Sequence, residues 1–295
     1  MTPADLAHRL EEGPLLLDGG LGSLLISMGL EQGRAPEHWN LEHPDRVREA
    51  HRRYVEAGCD LVHTNTFGST APKLAAAKLE GRCAEINRIA VQLAREAAAP
   101  GALVAGDVGP TGLFLPPMGD ASEAELHAAF VEQTSAQAGA GADLLSIETM
   151  YDLREALCAV RAAVATGLPV LASMTFEARP RGFFTIMGDP LEASLRALAE
   201  AGAHVAGFNC SVTSDVMLGM VERAQRASSV PIVAQPNAGQ PRATPGGVVY
   251  DADPGRFADD LVRMVKAGAR LVGGCCGTSP EFMSRARAAL AQLPR

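Results

Sequence analysis

The chain has 295 residues, 47% of them hydrophobic and 20% charged, with a formal net charge of −8. That composition supplies a sizeable buried core and excludes a disordered chain, and the lack of any basic block argues against nucleic-acid or anionic-membrane partners. The N-terminal MTPADLAHRLEEG is polar where a signal peptide needs an apolar stretch, and no run reaches the roughly 18 apolar residues of a membrane span, so a cytoplasmic location is expected.

In chain order, one unit recurs eight times: a short apolar strand, a turn with Gly or a polar residue, then an Ala/Leu/Arg-rich helical stretch. The predicted strands are 15–18, 60–64, 102–107, 143–148, 169–174, 204–209, 231–235 and 270–274. Before several of them EAGCD, GAGAD, AGAHV and KAGAR place a glycine that can take the left-handed conformation closing a helix. Strand–helix alternation specifies a parallel sheet with helices outside. Eight units, and a length near the roughly 250 residues plus insertions of such folds, predict one α/β domain over 1–295, a (β/α)8 TIM barrel. An open doubly wound sheet needs a nucleotide fingerprint, and in DGGLGSLL the third glycine position is Leu25. The irregular segments 28–40, 113–120, 177–189 and 237–253 all follow predicted strands, where barrels keep their active-site loops.

The strand ends collect the chemistry: Asp18-Gly19-Gly20, Thr64-Asn65-Thr66, Asp107, Glu148-Thr149, Thr175, Asn209-Cys210, Gln235-Pro236-Asn237 and Cys275-Cys276. Cys59, Cys83 and Cys158 fall elsewhere and are assigned no role; in a reducing cytosol all six cysteines are thiols or ligands rather than disulfides. Neighbouring side chains on a regular strand point to opposite faces, so Cys275 and Cys276 reach one metal only if the strand breaks, and Gly273, Gly274 and Gly277 supply freedom for that break. The next helix is expected to start with Thr278 or Ser279 as cap and Pro280 in its first turn. With Cys210 at the same mouth, three thiolates make a base for Zn²⁺ with a fourth position open to substrate. Inert core thiols and a redox pair are the competing readings of these cysteines. A zinc held by three thiolates carries a formal charge of −1, which suits an incoming soft thiol better than hydrolysis and points to alkylation of a substrate sulfur.

GFNCS and GGCCGTSPE, together with LDGGLGS and HTNTFGS, resemble the homocysteine S-methyltransferase family over nearly the whole chain, with the C…CC signature separated by 65 residues. The resemblance implies that Cys210, Cys275 and Cys276 bind zinc, that homocysteine adds its sulfur as a further ligand, and that Asn237 in PNAG can hold the open position before substrate arrives. Glu148 and Asp18 are then the expected partners of the substrate ammonium, the Gly19 and Gly20 amides of its carboxylate, with Asn65 and Thr66 adding hydrogen bonds. His63 is expected to be a hydrogen-bonded packing residue. The segment from PEHWN to TNTFGS is most similar to the homocysteine-binding module of cobalamin-dependent methionine synthase, which implies methylcobalamin as donor. The chain has no D-x-H-x-x-G corrinoid motif, so the corrinoid is expected on a separate domain or protein. S-methylmethionine or betaine is the alternative donor. A Schiff-base aldolase needs a strand-end lysine, which Lys73, Lys78 and Lys266 do not provide; a zinc-storage or redox-sensing protein needs a fourth protein ligand for a closed site.

Overall fold

Eight parallel strands form where the sequence predicts them, in a computed structural model that describes residues 1–244 and 247–293. They are β1 (Leu15–Leu16), β2 (Leu61–His63), β3 (Leu103–Val108), β4 (Leu144–Met150), β5 (Val170–Met174), β6 (Val205–Thr213), β7 (Ile232–Asn237) and β8 (Ala269–Val272). Each pairs in parallel with its sequence neighbours, β1 pairs with β8, and a bridge from Leu17 to Leu61 joins β1 to β2, so the sheet closes into a (β/α)8 barrel. The connecting helices end as expected: Gly58, Gly141, Gly202 and Gly268 all take φ between 93° and 115°.

Inward positions alternate along each strand. Leu15, Leu17, Leu61, Ala105, Leu144, Leu171, Val205, Val233 and Leu271 form one apolar layer inside the barrel. Leu6 and Leu10, from the N-terminal helix Pro3–Glu12, pack onto that layer and close the end at which the strands begin. Thr2 caps this helix by accepting from the Asp5 N–H at 3.2 Å, while the Asp5 carboxylate accepts from the Thr2 N–H at 2.7 Å. Burial of each of the two leucines contributes roughly 1.5–3 kcal/mol. Two residues further along the strands the inward positions turn polar, with His63, Asp107, Ser146, Ser173 and Gln235 all buried. The larger apolar cluster lies between the strands and the helices.

Three details differ from expectation. β4 and β6 run past their predicted ends, and each carries a register shift there, between Ile147 and Met150 and between Asn209 and Thr213. Segments 177–189 and 237–253 are not wholly irregular: each contains a two-stranded hairpin, Glu177–Arg179 with Gly182–Phe184 and Arg242–Thr244 with Gly247–Val249. Strands of three residues are too short to leave a hydrophobic period to read. Ser279, not Thr278, stands at the cap position of the last helix, Pro280–Leu290. The Thr278 hydroxyl instead donates to the Cys275 carbonyl at 2.6 Å and closes the turn that carries the cysteine pair.

Candidate metal and thiol site

Cys210 lies inside the register shift of β6. Thr149, Cys210 and Ser211 have φ of 57–61°, three of the four described non-glycine residues with positive φ. Backbone held in this sparsely populated region by its surroundings costs of order 1–3 kcal/mol per residue and marks a functional constraint. The constraint has a visible anchor in Asn209, which is fully buried. Its amide bonds both the N–H and the hydroxyl of Thr149 at 2.8 Å, accepts from the Ser173 hydroxyl at 2.9 Å, and comes within 3.8 Å of Cys275 Sγ.

Beyond β8 the chain leaves strand geometry at Gly273, and both cysteines of the pair turn toward Cys210. Only Gly277 uses a left-handed φ, 81°, in this break. Gly273 and Gly274 are there for space: a Cβ on Gly274 would lie 2.2 Å from Thr278 Oγ1, and one on Gly273 2.7 Å from Leu17 Cβ. The three Sγ atoms lie within 4.8 Å of one another, with Cys210 and Cys276 at 3.8 Å. Tetrahedral zinc with Zn–S bonds near 2.3 Å separates its sulfurs by about 3.8 Å, so this donor set fits the ion. Hydrogen bonds from Cys275 and Cys276 hold the Cys210 thiol down to about 3, and bonding to Cys210 lifts Cys276 to about 11 and Cys275 well above its ordinary range. Three like charges this close ionise together only against a cation. Asn237 adds a buried Oδ1 with no hydrogen-bond partner and a side-chain bond to Cys210. Cys59, Cys83 and Cys158 are buried elsewhere.

The cysteines open onto a cavity of about 390 Å³ that is also lined by Gly19, Gly20, His63, Asp107 and Glu148. Asp18 does not line it. Only 1% exposed, it lies behind His63, accepting from His63 Nδ1 at 2.6 Å and from the His63 N–H at 2.9 Å. The other ring nitrogen of His63 faces Ser146 Oγ at 3.0 Å and Glu148 Oε1 at 3.5 Å. Burial opposes a charge on this ring, but Glu148 and Asp18 outweigh it and raise its pKa to about 10. His63 is hydrogen-bonded as expected but also lines the cavity, and it stands between Asp18 and that cavity. Burial in turn raises the Glu148 carboxyl above its ordinary value, against the lowering effect of His63.

Gly20 also departs from expectation. Its N–H donates to the carbonyl and hydroxyl of Thr278 at 3.0 and 3.1 Å, so it is not open to a ligand. Asn65 donates to the Pro36 carbonyl and Asn40, and the Thr66 hydroxyl donates to the Asp107 carbonyl at 2.7 Å; both line the cavity with side chains tied to the scaffold.

A family model described as homocysteine S-methyltransferase matches residues 15–290. The chain belongs to the homocysteine S-methyltransferase family. Methionine synthase of Mycobacterium tuberculosis is 31% identical over 99% of the chain, and that of Mycobacterium leprae 30% identical over 98%. The chain spans about a quarter of the length of these relatives, 26% and 25%. Among solved structures, the metallated form of the homocysteine methyltransferase MmuM from Escherichia coli superposes with a TM-score of 0.80 at 27% identity, covering 96% of this chain and 99% of that one. The cysteines, cavity and polar layer of this family member stand at the strand ends where barrels keep active sites. Sequence reasoning left Asn209 and Asp107 without roles. Their inward parity on β6 and β3, two residues above Gly207 and Ala105, was the signal available for both. Among the described residues no helix is long and apolar enough to cross a membrane.

Proposed function

We propose that this barrel methylates the thiol of homocysteine to give methionine, with zinc held by Cys210, Cys275 and Cys276 and methylcobalamin on a separate domain or protein as donor. The observation that carries the reading is the convergence of three sulfurs within 4.8 Å on the cavity of a homocysteine S-methyltransferase-family chain. Bound zinc supplies thiol acidification there, keeping the substrate sulfur ionised and nucleophilic near neutral pH. Asn237, with its unpartnered Oδ1, is the chain's own candidate for the fourth ligand until substrate takes that position.

The chain's other residues bind and orient. Glu148, held by His63 and bonded by Gln235, offers a carboxylate to the substrate ammonium. Asp18 acts one step back, fixing the His63 ring. The Gly19 N–H makes no hydrogen bond among the described residues and is available to the substrate carboxylate. The substrate sulfur gives up its proton, forms the new S–CH3 bond, and the donor's bond to that methyl breaks with its electron pair left on the donor. A small onium donor, S-methylmethionine or betaine, is a second reading, favoured by the match to MmuM over 99% of that chain.

The test pairs metal content with turnover. Each of Cys210→Ser, Cys275→Ser and Cys276→Ser is expected to lose stoichiometric zinc and nearly all methionine formation, assayed with the three donors in parallel. Retention of zinc and unchanged turnover in any of them refutes the mechanism, and the donor that supports turnover decides between the two readings.

A further inference from the structure

Asp107 combines a rigid backbone with an idle side chain. Its N–H donates to Thr64 Oγ1 at 3.0 Å, and its carbonyl accepts from Thr66 Oγ1 at 2.7 Å, Gln133 Nε2 at 3.1 Å and Gln137 Nε2 at 2.9 Å. Its carboxyl makes no hydrogen bond among the described residues, and Oδ1 is fully buried without a partner. The residue is only 6% exposed and lines the thiol cavity. An unpaired buried carboxyl is costly, so one that is retained and clamped at its backbone points to a group that arrives from outside. The charged groups that act on it most strongly are Glu148, His63, Asp18 and Glu37. His63 is already engaged by Asp18 and Glu148, and Lys73, which lines the same cavity, forms no salt bridge with Asp107 among the described residues. Burial, reinforced by Glu148, accordingly raises the Asp107 carboxyl well above its ordinary value.

We propose that Asp107 determines acceptor specificity: its carboxyl, beside Glu148, receives the α-ammonium of the substrate, so that the site selects amino-acid thiols over simple thiols. The inference rests on the homocysteine reading above and adds a residue to it. Glu148 alone, shared with His63 and Gln235, has limited capacity for a second cation, and an ammonium with three N–H donors can reach both carboxyl groups. A site built to hydrogen-bond a substrate N–H discriminates strongly against an analogue lacking it, because the buried acceptor is then left unpaired.

The experiment compares binding of L-homocysteine and of 4-mercaptobutanoate, the same thiol acid without its amino group, to the zinc-loaded protein by calorimetry. Wild type is expected to prefer homocysteine. Asp107→Asn and Asp107→Ala should weaken homocysteine by on the order of tenfold to a hundredfold while leaving 4-mercaptobutanoate within about twofold. Equal weakening of both thiols, or of neither, overturns the role of Asp107. Wild type that binds neither thiol overturns the homocysteine reading itself, and the proposal with it. Thermal melts of both variants within a few degrees of wild type establish that the affinities are those of folded protein.

Discussion

Gly20→Ala tests whether the first strand-end turn shapes the cysteine site. Gly20 has φ −71° and ψ 84°, which any residue can adopt, so the substitution probes space alone. The added Cβ would lie 2.6 Å from the Cys275 carbonyl oxygen and 3.1 Å from the Gly277 nitrogen. Both are backbone atoms of the turn that holds the cysteine pair, and neither can rotate away. Ordinary contact begins near 3.4 Å, so the turn must retreat by about 0.8 Å. Zinc–sulfur distances tolerate only about 0.2 Å. Overpacking of this kind costs about 1–3 kcal/mol of stability, and disturbance of groups that orient metal ligands lowers metal affinity about 10- to 100-fold. Chelator-competition titration of zinc measures the second effect and thermal melting the first. Gly22→Ala is the control: its Cβ meets nothing within 4 Å, so zinc affinity should not change. Wild-type zinc affinity in a folded Gly20→Ala protein would refute the steric coupling between the two loops.

His63→Gln removes the cation between Asp18 and Glu148 and strands a nearly inaccessible carboxylate, at a cost of about 3 kcal/mol or more in denaturant unfolding. The pH dependence follows from the raised pKa of His63. A group whose folded pKa is raised from 6.5 to about 10 stabilises fully below 6.5 and loses that contribution as pH rises through 10. Wild-type unfolding free energy should therefore decline from pH 7 to 10, and His63→Gln should lack that part of the decline; parallel pH profiles for the two proteins contradict the assignment. Tyr54→Phe removes the hydroxyl that donates to the Thr278 carbonyl at 2.9 Å, with an expected loss of about 1 kcal/mol in chemical unfolding and a smaller loss of zinc affinity than in Gly20→Ala.

The strands and the cysteines were legible in the sequence because both leave local marks. Short apolar runs after helix-closing glycines locate the barrel strands, and a vicinal pair flanked by glycines announces a broken strand. The identity of the ligand-facing carboxylates was not legible, because it depends on which groups the fold pairs with each other. Asp18 sits in a strand-end motif, yet the histidine 45 residues later covers it. Asp107 has no distinguishing neighbours in the chain, and its isolation is visible only once the backbone clamp of Gln133 and Gln137 is seen. The glycines of the cysteine turn were anticipated for flexibility, but two of the three serve close packing, which requires knowing that Thr278 and Leu17 come against them.

The N-terminal helix that seats Leu6 and Leu10 against the apolar layer gives the barrel a stopper. The cavity is lined from the opposite end, by residues at and beyond the strand ends. Under the proposed chemistry the acceptor, whose sulfur goes to the cysteines, and the methyl source must use the same opening, and so must the product. The ten residues of that helix, at the far end of the barrel from the cysteines, thus leave the reaction to one face of the molecule.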